Sequence, residues 1–152
     1  MTPTMTERVC VVAGAGAWPF YLATGAWVGP ENRRFGDAAR LGFYSGRQVQ
    51  GVAPRIREVF TSVPLTAEGA AARALSADPV ERRVGEVLAA ALHDGLTTPR
   101  VSVALLSLAD DPDTESFEPV AHDGETAWTM FQRLVDLDRL RAASSTDELG
   151  PG

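Results

Sequence analysis

The first regular feature of the chain is an apolar run, RVCVVAG at residues 8–14, whose consecutive β-branched and hydrophobic positions predict a strand buried on both faces. Residues 21–28 read as a short strand or turn, and PENRRFGDAAR after them as a polar connection rich in turn formers. Two strands follow, RLGFYSG and QVQGVAPRIREVF. In the second, Val49, Gly51 and Ala53 fall on one face and Gln48, Gln50 and Val52 on the other. Pro54 has no amide proton and marks an edge or a bulge, so this segment is expected to be one long, kinked barrel strand.

The period then lengthens. LTAEGAAARALSA predicts a helix from an N-cap at Thr66 to near Leu75. A second helix is capped by Asp78, with Pro79 at the first helical position and Glu81 at capping-box spacing. Val80, Val84, Val87, Leu88, Ala91 and Leu92 form its apolar stripe, which ends near His93 before Gly95. RVSVALLSL is a strand, ADDPDTES a turn, FEPVA a short strand and HDGE another turn; AWTMFQRLV reads as a strand and DLDRLRAA as a short helix capped by Asp136. Neither a repeat nor a dividing linker interrupts this order, so residues 1–143 are expected to form a single domain and residues 144–152 a disordered tail. Strands, two helices, strands and a last helix in segregated runs predict an α+β fold rather than a doubly wound sheet.

The strand–glycine stretch VVAGAGAWPF carries the first two glycines of a dinucleotide fingerprint, but Pro19 occupies the third glycine position. Trp18 and Pro19 stand where a phosphate-binding helix would begin, and this reading is set aside.

Composition adds limits. A chain of 152 residues, 45% hydrophobic and 22% charged, can bury one sizeable core. Its apolar runs are too short to span a bilayer and follow no basic leader, so no membrane association and a cytoplasmic location are expected. Cys10 is single and lies inside the first apolar run, where a buried thiol is the expectation. Two His and one Cys without ligand spacing indicate no metal, and no cofactor motif is present.

The net charge of −6 argues against indiscriminate nucleic-acid binding, yet it is unevenly placed: residues 1–60 carry +3 and residues 61–152 carry −9. Arg33, Arg34, Arg40, Arg47 and Arg55 lie within 23 residues with only Asp37 as an acid among them, a pattern that can steer an anionic ligand. The chain has no lysine, which removes Schiff-base chemistry and a lysine base.

The segment ARLGFYSGRQVQGVAPRIREVFTSVPLT resembles the central part of EVE domains of the PUA-like superfamily: a hydrophobic-aromatic-Tyr strand, a small polar turn and a Gly-containing strand ending in an acidic-Val pair. AWVGPENRRF resembles the Trp-Gly-x-x-Asn stretch ahead of it, RVSVALLSL the later Val-rich strand, and FQRLVDLDRLRAA the closing strand and helix. The family's His between Tyr and Ser is absent, its first-strand Trp is missing, and residues 66–94 are longer than its connection. The resemblance implies a PUA-like small mixed or antiparallel β-barrel with a two-helix insertion packed against it.

It also implies a pocket at Trp27, Asn32, Phe43, Tyr44 and Ser45, where an aromatic face takes a planar base and Asn32 and Ser45 read its edge. Arg33 and Arg34 would hold a phosphate, with Arg47 brought beside them by the turn at Ser45 and Gly46. Phe43 and Tyr44 alternate across one strand, which assigns Phe43 to the core and Tyr44 to the pocket mouth. Two functions are thus expected: a module that binds a nucleotide, a modified base or single-stranded nucleic acid, or a small metal-independent, hydrolase-type enzyme acting on an anionic or nucleoside-like substrate. The related ASCH amidohydrolases rely on a Lys that this chain lacks, and Ser45, His122 and Asp123, or Glu residues of the acidic half, are the alternative catalytic groups, none singled out by spacing. His122 and Asp123 sit in a predicted turn, which favours an exposed surface pair.

Overall fold

A computed structural model describes residues 7–13, 16–121 and 132–143. Over the described residues the protein is mixed α+β with four helices and a strongly curled half-barrel sheet. Strand β1 (Arg8–Ala13) leads into α1 (Ala17–Thr24), β2 (Ala26–Pro30) and β3 (Arg40–Ser45). Four strand segments and two helices follow: β4 (Gln48–Val49), β5 (Val52–Ala53), β6 (Ile56–Pro64), α2 (Ala67–Ala74), α3 (Pro79–His93) and β7 (Arg100–Leu106). The rest is β8 (Glu115–Ser116), β9 (Val120–Ala121), β10 (Gln132–Asp136) and α4 (Leu137–Ala142).

One sheet has the order β10-β1-β3-β4-β9 and the other β2-β7-β6, with β5 and β8 pairing separately. Among the described residues all pairings are antiparallel except β1 with β3, where Ala13 lies beside Tyr44. Alternation distributes the buried side chains into layers. In β1, Cys10 and Val12 join Leu41 and Phe43 of β3 in the central core, with Trp27, Ala104 and Leu106 supplied by the second sheet. Val9 and Val11 point the other way, to Val49, Val120 and Leu140. The second sheet also covers the helices: Ala26, Val101, Val103 and Leu105 pack on Val84, Val87, Leu88 and Ala91 of α3.

The two central helices form where capping chemistry predicts. Thr66 accepts the Gly69 amide at 2.9 Å and Asp78 that of Val80 at 2.9 Å, and Pro79 opens α3. Glu81 does not close a capping box; it pairs with Arg73 of α2 at 2.7 Å and ties the two helices together. Asp136 sits at the N-cap of α4 without a side-chain cap bond, its carboxylate lying 3.8 Å from Arg8 instead.

Three readings of the sequence need correction. Of residues 21–28, expected to be a short strand or turn, only Ala26–Val28 are strand; Tyr21–Thr24 belong to helix α1, which begins at Ala17. Pro19 is its third residue, within the first turn, where a missing amide proton costs no helical hydrogen bond. Tyr21 anchors this helix by stacking on Phe43, ring centroids 5.0 Å apart, and Trp18 stacks on Tyr21 and meets Phe43 at a tilt. The long strand expected across residues 48–60 is broken into β4, β5 and β6. The breaks fall at Gly51, where the Phe117 carbonyl leaves no room for a Cβ, and at Pro54. Nor do the five arginines act as one patch. Arg40 is buried, bonded to Glu7 at 3.1 Å and to the carbonyls of Ala53 and Asp113, and Glu7 also pairs with Arg55 at 3.2 Å.

Candidate functional site

The end of β1, the start of α1, strand β2 and the end of α3 line a half-open cavity of about 380 Å³. Val12 and Ala13 come from β1, and Gly16, Ala17 and Phe20 from α1 and the residue before it. Trp27 through Pro30 form the β2 wall, Arg33 follows on the next turn, and Ala91, Asp94 and Leu96 close the side made by α3. The volume falls at the lower end of the range for small-molecule sites, and the lining is mostly apolar with two charged side chains, the composition such sites share.

Trp27 is the largest element of the wall. Its indole runs along β2 over Gly29: a Cβ built on Gly29 would come within 2.1 Å of the ring. Phe35 meets the indole edge-on at 5.1 Å between centroids, and the Arg33 guanidinium carbon lies 6.0 Å from the ring centre, within cation–π range. Aromatic surface and positive charge therefore meet in one place.

The Arg33 backbone is set by hydrogen bonds to both strands of the neighbouring ladder, one of them to a side-chain hydroxyl. Between Phe60 and Val63 the β6–β7 register slips, and within this bulge the Thr61 carbonyl accepts from the Asn32 amide at 2.6 Å. The Ser102 hydroxyl, wholly buried on β7, donates to the same carbonyl at 3.1 Å and accepts the Arg33 amide at 3.0 Å. Asn32 takes the left-handed conformation, φ 65°, that the tight turn requires and that Asn tolerates.

The residues singled out from the sequence divide. Trp27 and Arg33 line the cavity, and Asn32 shapes the turn that presents Arg33, with its neighbour Arg34 exposed. Phe43 is buried beneath them in the central core, beside Trp18 and Tyr21. Tyr44 faces the opposite side of its sheet and packs, half-buried, with the cluster that contains Val9, Val11 and Val49. Ser45 ends β3 opposite Gln48, and Gly46 and Arg47 form the two-residue loop to β4, both at positive φ, 64° and 61°. Because β1 and β3 are parallel, that hairpin leaves the sheet at the same end as the cavity, yet the described lining includes neither Ser45 nor Arg47 nor Tyr44. His122 and Asp123 lie outside the described residues.

Sequence reasoning missed Phe20, Asp94 and the Gly16–Ala17 step. The glycines after β1 were the available signal for the last, masked by Pro19; Asp94 was visible only as an acid at the end of a helix otherwise well explained by packing. Cys10 lies in the central core that includes Trp27, and burial pushes its thiol up to about 11, opposed in part by the charge of Arg33. Among the described residues no group of three or more His, Cys, Asp and Glu is placed to hold a metal ion, and no helix is long and apolar enough to cross a membrane.

Comparison with protein-family models, curated proteins and solved structures yields no match for this chain.

Proposed function

We propose that this protein is a ligand-binding module that takes a single nucleotide, free or presented as an unstacked base, into the cavity beside Trp27. The observation that carries this reading is the Arg33 guanidinium held over the Trp27 indole at the wall of that cavity. An aromatic face offers stacking to any planar base, and a guanidinium offers paired donors to a phosphate. The start of α1 at Gly16 and Ala17 adds backbone amides and the positive end of a helix dipole on the same side of the ligand. The resemblance to EVE domains of the PUA-like superfamily is consistent with such a module and stands as part of the proposal.

The test is a panel of nucleoside monophosphates, their parent nucleosides and a short single-stranded oligonucleotide, scored by thermal unfolding and calorimetry. A ligand at a hundred times its dissociation constant adds about 2.7 kcal/mol to stability. Monophosphates are expected to bind more tightly than nucleosides, Arg33→Met to abolish that difference, and Trp27→Ala to weaken both by about 1–3 kcal/mol. An unfolding curve that none of the three ligand types moves overturns the reading.

A further inference from the structure

Strand β2 is an edge of the sheet β2-β7-β6, and its one ladder fixes which of its main-chain groups are used. The Leu106 amide donates to the Gly25 carbonyl at 3.0 Å, extending the β2–β7 register by one pair, while the next amide of the chain, that of Ser107, turns the other way to Arg55. Orientation alternates along an antiparallel ladder, so Trp27 and Gly29 direct their N–H and C=O groups to β7 and Val28 directs both of its own away from it. Among the described residues neither group of Val28 has a hydrogen-bond partner.

The cavity lies along this edge. Trp27 belongs to the central core and the Val28 side chain packs on the cluster under α3, so the two face opposite sides of the sheet. Both line the cavity, with Val12 from the first side and Phe20 and Ala91 from the second, and no described residue of β7 does. A cavity that reaches both faces of β2 without touching β7 passes around the free edge, where it meets the half-buried Val28. This edge is too poor in donors to hold a peptide strand: Pro30 has no N–H, and that of Ala26 is bonded to Thr24 Oγ1 at 3.2 Å. One donor beside one acceptor suits a small planar group instead.

Resting on the nucleotide reading above, we propose that the Val28 main chain reads the edge of the base: its N–H donates to a ring nitrogen or carbonyl oxygen of the ligand, and its C=O accepts from the neighbouring N–H. Adenine, guanine, cytosine and uracil each carry an acceptor beside a donor, so this contact selects a nucleobase from other planar groups rather than one base from another. Arg33 takes the phosphate of the same molecule.

The experiment measures AMP, GMP, CMP and UMP, with ribose 5-phosphate as the ligand without a base, by calorimetry on the intact chain, Val28→Pro and Val28→Ala. Proline removes an N–H that gives nothing to the ladder, at an edge position where strands tolerate it, and Trp27 before it is already extended. Alanine keeps the N–H and removes most of the side chain. Val28→Pro is expected to weaken every monophosphate that binds by at least about tenfold while leaving ribose 5-phosphate unchanged, and Val28→Ala to stay within about threefold of the wild type. Hydrogen exchange on the isotope-labelled wild type needs no variant and stands even if Val28→Pro fails to fold. There the Val28 amide is expected to exchange faster than those of Trp27 and Gly29 in the free protein, and a saturating monophosphate to slow it at least about tenfold relative to theirs. Undiminished binding to Val28→Pro, an equal loss in Val28→Ala, or a Val28 amide whose relative exchange the ligand leaves alone overturns the inference and leaves the nucleotide reading standing. Failure of all four monophosphates to bind overturns the nucleotide reading and the inference together.

Discussion

The amide of Arg33 donates to the hydroxyl of Ser102 at 3.0 Å, linking the residue over the Trp27 indole to a side chain with no exposure to solvent on β7. Ser102 also donates to the Thr61 carbonyl in the β6 bulge, so one hydroxyl joins three segments. Ser102→Ala should leave the Arg33 amide without its partner, at a cost of about 1–3 kcal/mol in urea unfolding. Because Arg33 is then less well held, affinity for a monophosphate should fall more than affinity for its nucleoside. Unchanged unfolding together with unchanged affinities would show that the turn holds its shape without this bond.

Gly29 and Trp27 should be energetically coupled. The added methyl of Gly29→Ala meets the rigid indole at 2.1 Å, so the ring must move, and overpacking of this kind costs about 1–3 kcal/mol. With Trp27→Ala the obstacle is gone, and the glycine substitution should then cost little. A double-mutant cycle in stability measures this, with an expected coupling of about 1–2 kcal/mol. Simple additivity of the two single changes would mean that the ring does not depend on the missing Cβ.

Much of this architecture was legible because its signals are local. The caps at Thr66 and Asp78, the apolar stripe of α3 and the run of β7 each need only a few neighbouring residues to be read, and α2, α3 and β7 lie close to where those signals put them. Helix α1 was illegible because its support is tertiary: Trp18 and Tyr21 find Phe43, more than twenty residues away, and the first turn hides the usual objection to proline. The site was half legible for a related reason. Trp27 and Arg33 stand near each other in sequence, and alternation along β3 puts Phe43 and Tyr44 on opposite faces as expected, but the cavity is lined by Val12 and Trp27 of the cluster that holds Phe43, so Tyr44 lies on the other face. The arginine cluster misled in the same way, since Glu7, the distant partner of Arg40 and Arg55, cannot be recognised from spacing.

Arg40 should therefore behave as a structural residue. It is 2% exposed, and its guanidinium bonds Glu7, Ala53 and Asp113. Arg40→Met removes the buried charge and leaves two carbonyls and part of Glu7 without their donor, a change expected to cost about 3–5 kcal/mol. Arg33→Met should cost much less, about 0.5–2 kcal/mol for the lost contact with Trp27, while affecting ligand affinity. Chemical unfolding of both variants distinguishes the two roles, and equal losses would contradict this division of the arginines.

Alkaline pH offers a test of the central core. Burial raises the Cys10 thiol from its ordinary 9.0 to about 11, and the Tyr21 hydroxyl, which donates to the Ser107 carbonyl at 2.7 Å, from 10.0 to about 12. Both groups lose a proton from the unfolded chain at lower pH than from the native one. In that interval the unfolded state binds fewer protons, so stability falls as pH rises. The decline should begin near pH 9 through Cys10 and steepen above pH 10 as Tyr21 joins it. With no lysine in the chain, this window is unusually free of other titrating groups. Cys10→Ala should lower stability at neutral pH by leaving a small cavity, yet flatten its pH dependence between 9 and 10 while keeping the fall above 10. Urea midpoints measured at half-unit steps give both slopes. A Cys10→Ala curve parallel to the wild type below pH 10 would mean that the thiol ionises as readily in the native core as in the unfolded chain.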